Sequence, residues 1–358
     1  SPRAATLEPT ENLNVEAAIS LLPLGRLHEQ MPASAESNRV VVDGRRDIQR
    51  ILAGDDHRLL VIVGPCSIHD PAAAEEYADR LADLRRRVND RLNLVMRVYF
   101  EKPRTTTGWK GLINDPHLNG SFDIEQGLRI ARDLLLKVTT LGLPTATEVL
   151  EPFSPQYISD LLCWAAIGAR TTESQTHRQM ASGLSMPVGF KNSTERKLHV
   201  RSDAMKAPGS PHAFLCVDMD GQISVIKTRG NPWGHLILRG GGGRSNFAPQ
   251  DVALAAKQLE DASLPTRLMV DCSHANSGKR PERQQVAWNS VIDQRLAGND
   301  QLVGLMLESN LLPGNQPMRD RLDDLKYGVS ITDSCIGWDE TESLILDAHK
   351  RLAGVIAN

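Results

Sequence analysis

The sequence has few cysteines and no long hydrophobic run. Its five cysteines are odd in number and widely separated along 358 residues, which does not fit the paired framework of a disulfide-rich secreted domain. Aliphatic runs such as 59–63 are far shorter than the roughly 20 residues that span a bilayer. The N-terminus has no charged segment followed by an apolar one, so we predict no signal peptide. These absences lead us to expect a cytoplasmic protein with no membrane partner.

The sequence also has little excess charge of either sign. Its 41 lysines and arginines nearly balance 44 aspartates and glutamates, for a net charge of −3. Bulk charge therefore predicts no nucleic-acid partner, and any anion site must come from a local cluster of cations. The hydrophobic content of 41% is ordinary for a globular protein with a sizeable core.

From residue 59 onward, short apolar runs alternate with helical patterns. The runs lie at 59–63, 93–98, 144–149, 165–169, 186–190, 235–239, 267–271 and 301–307. The helical patterns lie at 72–88, 124–141, 155–163, 251–262 and 283–296. Apolar strands alternating with helices are typical of parallel β/α proteins. Eight runs predict an α/β fold with a single (β/α)8 TIM barrel, although a doubly wound sheet would show the same alternation.

Two segments interrupt this alternation. The runs 214–217 and 222–227 flank Asp218 and Gly221, which predicts a β-hairpin inserted before the sixth strand. Residues 308–338 form a long loop before a final helix at about 339–356.

Residues 1–50 are more polar than the rest of the chain. They contain an amphipathic stretch at 13–22 and a second helical pattern at 47–52. We therefore predict an N-terminal helical extension over 1–50 and a catalytic barrel over 51–358.

Ionisable residues follow nearly every predicted strand. In a barrel all strand carboxyl ends meet on one face, so these side chains would share one mouth. Six are basic: Arg97, Lys102, Arg104, Arg170, Lys191 and Arg239. Arginine forks and lysine ammonium groups bind phosphates and carboxylates, which favours a substrate set carrying about four to five negative charges. The alternative is that strand ends are polar only because loops are polar.

Four further residues have side chains that bind metal ions: Cys66, His274, Glu308 and Asp333. A thiolate, an imidazole and two carboxylates suit a divalent transition ion better than Mg²⁺ or Ca²⁺. These four residues are too far apart in the sequence to form a recognisable metal-binding motif. The alternatives are that Cys66 is a buried structural thiol and that Asp333 is a turn residue. The glycine-rich run after Arg239 lacks the P-loop pattern and does not predict a nucleotide site.

Eight short motifs carry a family resemblance. They are GPCSIHD at 64–70, MRVYFEKPRTT at 96–106, GWKGLINDP at 108–116, GARTTES at 168–174, GFKN at 189–192, LRGG at 238–241, DCSH at 271–274 and ITD at 331–333. With them the chain resembles the type I 3-deoxy-D-arabino-heptulosonate 7-phosphate (DAHP) synthases of the shikimate pathway, from about residue 12 onward. The resemblance implies condensation of phosphoenolpyruvate with erythrose 4-phosphate and water to give DAHP and phosphate.

The resemblance also implies a role for each site residue. One Mn²⁺, Fe²⁺ or Co²⁺ ion would be bound by Cys66, His274, Glu308 and Asp333. The phosphoenolpyruvate site would comprise Arg97, Lys102, Arg170, Lys191 and Arg239, and Ala169 would be a further substrate-binding residue. Erythrose 4-phosphate would be bound by Lys102, Pro103, Arg104 and Thr105. The catalytic residues would be Lys102 as proton donor, Glu148 orienting water, and His274.

Regulation and assembly are implied in the same way. In this family the N-terminal extension packs on a neighbouring subunit and helps to form a feedback site for an aromatic amino acid. Gln156 and Ser185 match that site, and the residues around them favour tyrosine as the effector. We therefore expect a homodimer or homotetramer, whereas the alternative for 13–22 is a helix that plugs the lower face of the barrel.

Two other functions stay open at this point. A metal-dependent aldolase could use the same fold, because barrels support many chemistries. A sugar-phosphate sensor could have kept the anion site without turnover, but the complete metal-ligand set argues against it.

Overall fold

Parallel strands close into a barrel in the computed structural model, which describes residues 8–104, 106–193, 202–319 and 321–356. The barrel strands are β1 (Leu59–Gly64), β2 (Leu92–Arg97), β3 (Thr145–Glu148), β4 (Trp164–Ile167), β5 (Val188–Lys191), β8 (Gly234–Leu238), β9 (Leu268–Asp271) and β10 (Leu302–Glu308). Within the described ranges they pair in the closed order β1-β10-β9-β8-β5-β4-β3-β2. The predicted TIM barrel is thus confirmed, and the doubly wound sheet is excluded.

Most barrel strands are buried along their whole length, which explains why they read as continuous apolar runs. The covering helices are α3 (Pro71–Val88), α4 (Ile124–Thr140), α5 (Gln175–Ala181), α6 (Ser202–Lys206), α7 (Pro249–Asp261), α8 (Gln284–Leu296) and α9 (Trp338–Arg351). Helix α3 shows how a boundary is encoded: the Asp70 side chain accepts from the backbone N–H groups of Ala72 and Ala73, and Pro71 occupies the first turn.

The helix predicted over 155–163 is wrong. The segment forms two short 3₁₀ turns instead, Ser154–Tyr157 and Ser159–Leu161. Arginine side chains hold the segment in this form: Arg45 donates to the carbonyls of Ser159 and Leu162, and Arg132 donates to that of Tyr157. Tertiary contacts therefore override the local helical pattern.

The predicted hairpin is confirmed. Strands β6 (Ala213–Val217) and β7 (Ile223–Lys227) pair antiparallel as a separate sheet before β8, the sixth barrel strand. In the turn, the Asp218 carboxylate accepts from the backbone N–H groups of Asp220 and Gln222. Gly221 has a φ of +77°, a conformation that favours glycine.

The N-terminal extension is helical, but not where the amphipathic pattern predicted. Residues 15–23 form no regular secondary structure, and Ile19 is 86% exposed. A ten-residue helix is marginal in water unless another surface covers its apolar face. Within the described chain only Leu22, at the end of the stretch, packs on the core, whereas Leu13, Val15 and Leu21 are 41–68% exposed. The helices are α1 (Leu24–Gln30) and α2 (Ala35–Ala53), so the pattern at 47–52 marked only the end of α2.

Helix α2 closes the lower face of the barrel. Its buried side chains Val41, Ile48 and Ile51 join one apolar cluster with inward-facing barrel residues such as Trp164. Gly44 permits close approach, because a Cβ there would lie 2.8 Å from the Cys163 sulfur. The alternative predicted from the sequence is a helix at 13–22 that plugs the lower face of the barrel. In the structure α2 takes that position instead. In the described part of the chain no helix has both the length and the apolar character needed to cross a membrane.

Candidate active site

A cavity of about 190 Å³ opens at the carboxyl ends of the barrel strands. The parallel register brings the strand ends together, as the pairing of Gly64 with Glu308 illustrates. The predicted site residues that line the cavity are Arg97, Lys102, Pro103, Arg104, Glu148, Ala169, Arg170, Lys191, Arg239, His274, Glu308 and Asp333. Cys66 lies beside them, with its sulfur 3.1 Å from the Lys102 ammonium nitrogen. Thr105 lies outside the described residues.

The cavity has a buried floor and an exposed rim. Arg97, Lys191 and Glu308 are buried where β2, β5 and β10 end, whereas Arg104 and Arg170 are exposed on the loops above. Fixed charges thus lie at the bottom of the site and movable ones at its entrance. An anion entering it would meet cations at both levels.

Arg97 is held by several partners at once. Its guanidinium lies 3.4 Å from Glu308 Oε1 and 3.8 Å from the centre of the Tyr99 ring, and it donates to the Pro65 carbonyl at 3.2 Å. Burial alone would lower the pKa of Arg97, but its neighbours Tyr99 and Glu308 raise it above the ordinary value. The side chain is therefore a fixed cation with one buried nitrogen, Nη1, that has no partner among the described residues.

Lys102 is half-buried and faces acidic groups. Burial tends to lower its pKa, yet Cys66, Glu308 and Glu148 raise it above the ordinary value. Burial raises the pKa of the Cys66 thiol, and the Glu308 charge acts in the same direction. With its pKa above the ordinary value, Lys102 is protonated near pH 7. A metal ion binding to the sulfur would displace the thiol proton.

Cys66, Glu308 and Asp333 each place a donor atom within 4.8 Å of the other two. His274 stands outside that group by this distance, but its Nε2 lies 3.9 Å from Glu308 Oε1. Sulfur, nitrogen and carboxylate donors around one point form the mixed set that first-row transition ions bind. The residues present therefore fit a divalent metal ion.

Two charged residues in or beneath the cavity, Lys279 and Asp271, were given no role by the sequence analysis. Lys279 lines the rim and lies in a turn five residues after His274. A turn has no periodic sequence pattern from which the direction of this side chain could be predicted. Asp271 ends β9 beneath the cavity, where it contacts Lys191 and His274. A charged residue closing the apolar strand Leu268–Asp271 was the available signal for it.

Gln156 and Ser185 do not line the cavity. The Gln156 amide donates to the sulfur of Cys216 on β6, and Ser185 is exposed between α5 and β5. The next residue, Tyr157, donates to the Leu22 carbonyl at 2.7 Å. The segment that carries Gln156 is thus connected to the hairpin and to the N-terminal arm.

Comparisons with known proteins agree over almost the whole chain. The sequence profile of the DAHP synthetase I family matches residues 30–345. The chain is 53% identical over 343 residues to the Tyr-sensitive phospho-2-dehydro-3-deoxyheptonate aldolase of Escherichia coli (strain K12), covering 96% of each. It is 50% identical over 335 residues to the Phe-sensitive enzyme of the same strain, covering 94% of this chain and 95% of that one.

The Trp-sensitive enzyme of Enterobacter agglomerans is 49% identical over 339 residues, covering 95% of this chain and 97% of that one. The solved structure of phospho-2-dehydro-3-deoxyheptonate aldolase from Francisella tularensis SCHU S4 superposes with a TM-score of 0.92 at 43% identity. That match covers 96% of this chain and 100% of the other.

Proposed function

The chain belongs to the DAHP synthetase I family, and we propose that it is a metal-dependent 3-deoxy-7-phosphoheptulonate synthase. It condenses phosphoenolpyruvate with D-erythrose 4-phosphate and water to give DAHP and phosphate, the first step of aromatic amino acid biosynthesis. One observation carries this proposal: a single cavity combines a cluster of basic side chains with a mixed set of metal donors.

The basic side chains divide between the two substrates. Phosphoenolpyruvate is bound by Arg97, Lys102, Arg170, Lys191 and Arg239, and erythrose 4-phosphate by Lys102, Pro103, Arg104 and Thr105. Ala169 is a further substrate-binding residue. Arg97 Nη1 has no hydrogen-bond partner within the described chain, which supports its role, because a buried guanidinium nitrogen of this kind is suited to an incoming anion. The Arg104 Nε donates to the Trp109 carbonyl at 2.9 Å, which holds its guanidinium at the rim of the cavity. Holding both substrates in one orientation lowers the barrier by proximity.

Cys66, His274, Glu308 and Asp333 hold one Mn²⁺, Fe²⁺ or Co²⁺ ion. When bound, the ion supplies Lewis-acid polarisation of the aldehyde oxygen, an effect worth several kcal/mol. A strong chelator should therefore abolish the activity, and any of these three ions should restore it. Release of the Cys66 proton on binding makes the metal affinity fall as the pH is lowered.

Bond formation joins C3 of phosphoenolpyruvate to the aldehyde carbon, and water then adds at C2 before the C–O bond to phosphate breaks. Lys102 donates the proton to the new hydroxyl oxygen, because its acidic neighbours keep it protonated at the boundary of both substrate sites. Glu148, at the end of β3 and on the cavity wall, orients the water. Arg97 and Lys191 keep the carboxylate and phosphate of phosphoenolpyruvate fixed while charge moves.

Residues 1–50 form a regulatory and oligomerisation extension, and residues 51–358 form the catalytic barrel. Tyrosine binds near Gln156 and Ser185 in a homodimer or homotetramer. Exposed apolar side chains support this assembly: Ile19 on the arm and Leu215, Ile223 and Val225 on the hairpin are 62–86% exposed. The Tyr-, Phe- and Trp-sensitive names of the relatives support an aromatic effector.

Phosphate release separates this function from its rivals. Incubation with phosphoenolpyruvate should release inorganic phosphate only when erythrose 4-phosphate and a divalent ion are both present. A metal-dependent aldolase would consume the aldose without releasing phosphate from phosphoenolpyruvate, and a sensor would bind both without turnover. Either of those results would overturn the proposal.

A further inference from the structure

Asp271 is a fully buried carboxylate between two functional side chains. Its Oδ2 lies 2.9 Å from His274 Nδ1 and 3.3 Å from Lys191 Nζ. We propose that Asp271 is a positioning residue that, through Ser273, holds His274 in the tautomer whose Nε2 is free to bind the metal ion. The inference rests on the proposed function, because it assigns a purpose to one ligand of that metal.

The hydrogen-bond chain decides the tautomer. The Ser273 hydroxyl donates to Asp271 Oδ1 at 2.6 Å, and the Ser273 backbone N–H donates to the same oxygen at 3.0 Å. A hydroxyl has one hydrogen, and a carboxylate can only accept. The 2.7 Å contact between Ser273 Oγ and His274 Nδ1 therefore has Nδ1 as its donor.

The second carboxylate oxygen acts in the same direction. Oδ2 has no hydrogen-bond partner of good geometry among the described residues, so its short contact with His274 Nδ1 is electrostatic. A lone pair on Nδ1 would face that negative oxygen, whereas an N–H group there is attracted to it. With the hydrogen on Nδ1, the lone pair of a neutral imidazole lies on Nε2, which faces Glu308.

The backbone holds the ring in this orientation. His274 has a φ of +57°, a left-handed conformation that is uncommon for a residue other than glycine. The backbone N–H of Lys279 donates to the His274 carbonyl at 2.9 Å, and the Asn276 amide donates to the Asp271 carbonyl at 2.8 Å. The loop after β9 is thus closed on itself around the pair, which maintains the strained conformation.

Asparagine at position 271 would reverse the tautomer preference. In Asp271→Asn the amide oxygen must keep accepting the two hydrogens from Ser273, because the NH₂ group cannot accept. That NH₂ group then points at His274 Nδ1 and favours a lone pair there, which moves the ring hydrogen to Nε2. Metal binding requires that hydrogen to leave, so the affinity falls.

The test is a titration of Co²⁺ into metal-free protein, followed by the visible absorption of the ion and its sulfur charge-transfer band. We expect the Kd of Asp271→Asn to rise about 10- to 100-fold, the usual effect of losing an outer partner of a ligating histidine. Ser273→Ala removes the relay hydroxyl but keeps the charge, so its Kd should rise less. The ¹⁵N NMR signals of His274, identified by their loss in His274→Ala, should show the tautomer change directly in metal-free Asp271→Asn.

Asp160→Asn is the matched control. It breaks the ion pair of Asp160 with buried Arg132, 2.7 Å apart, before β4 begins at the opposite end of the barrel. This variant should lose thermal stability and keep its Co²⁺ affinity. If Asp271→Asn is likewise destabilised with an unchanged Kd, Asp271 is only structural and the inference is wrong.

Two further outcomes keep the result decisive. If Asp271→Asn does not fold, unchanged Co²⁺ affinity in folded Ser273→Ala overturns the relay. If the natural protein neither binds Co²⁺ nor releases phosphate, the proposed function itself fails. Natural protein that does both, together with an Asp271→Asn variant of equal Co²⁺ affinity, refutes only the role of Asp271.

Discussion

The buried carboxyl of Glu101 makes folding stability depend on pH in a calculable way. Glu101 is 4% exposed and accepts hydrogen bonds from Ser154 Oγ at 2.5 Å and from the backbone N–H of Glu151 at 3.3 Å. Burial raises its pKa from 4.5 to about 7, although both hydrogen bonds favour the charged form, and the nearby charges of Glu151 and Glu148 add to the rise.

The sign follows from comparing the folded and unfolded states. Below pH 4.5 both states bind the proton, and between pH 4.5 and about 7 only the folded state does. Proton release stabilises the unfolded state in this pH range. The free energy of unfolding therefore falls as the pH rises, and it levels off above about pH 7. A pKa difference of about 2.5 corresponds to about 3 kcal/mol, of which about 2–3 kcal/mol falls between pH 5 and pH 8.

Glu101→Gln removes this titration. Its single amide oxygen can accept the hydrogen bond from the backbone N–H of Glu151, and its NH₂ group can donate to the Ser154 hydroxyl, which also accepts. Urea unfolding at pH 5 and pH 8 gives the free energy of unfolding of each protein. Relative to the variant, the natural protein should lose about 2–3 kcal/mol between these pH values. Ser154→Ala is the companion variant: it removes a hydrogen bond to the charged form, so the loss should move to higher pH. The reasoning would be refuted if the free energy of unfolding changed with pH by the same amount in the natural protein and in Glu101→Gln.

Three further predictions test the proposed function. A strong chelator should abolish activity and Mn²⁺, Fe²⁺ or Co²⁺ should restore it, while Cys66→Ala should keep its circular dichroism spectrum yet lose metal and turnover; full activity in that variant would remove Cys66 from the ligand set. Lys102→Ala should lower kcat by about 10²–10⁴-fold, as expected for a lost general acid, while Arg104→Ala should mainly raise KM for the aldose phosphate. The role assignment is wrong if both variants change only KM for phosphoenolpyruvate. Deleting residues 1–20 should leave turnover measurable, abolish inhibition by tyrosine and weaken subunit association in sedimentation; a truncated enzyme that is still fully inhibited contradicts the role of the extension.

Strand positions were predictable because their physical cause is local. Buried parallel strands need apolar residues on both faces, so the runs at 59–63 and 301–307 lie within a residue of β1 and β10. The hairpin was predictable for a similar reason, since Asp218 and Gly221 carry the turn chemistry themselves. The strand-end positions of Arg97, Glu148 and Lys191 then followed, because a closed parallel barrel leaves their side chains no other common face.

Helices whose stability depends on distant contacts were not predictable in this way. The pattern at 13–22 satisfies the helical period, yet within the described chain only Leu22 of its apolar side chains packs on the core. Residues 155–163 also fit a helix, but Arg45 and Arg132 hold the segment in another form. In both segments the deciding partners lie far away in sequence or are not among the described residues.

The sequence alone determines which residue types lie at the mouth of the barrel. Their protonation and tautomer states are determined only when the barrel closes. An arginine, a lysine or a cysteine has an ordinary pKa until burial removes water and a particular neighbour is brought near. Folding places Lys102 against Cys66 and Asp271 between His274 and Lys191, although these partners are separated by up to 80 residues in the sequence. Protonation, tautomer and charge balance depend on distances of about 3 Å, and no local pattern encodes a distance between strands that meet only when the barrel closes.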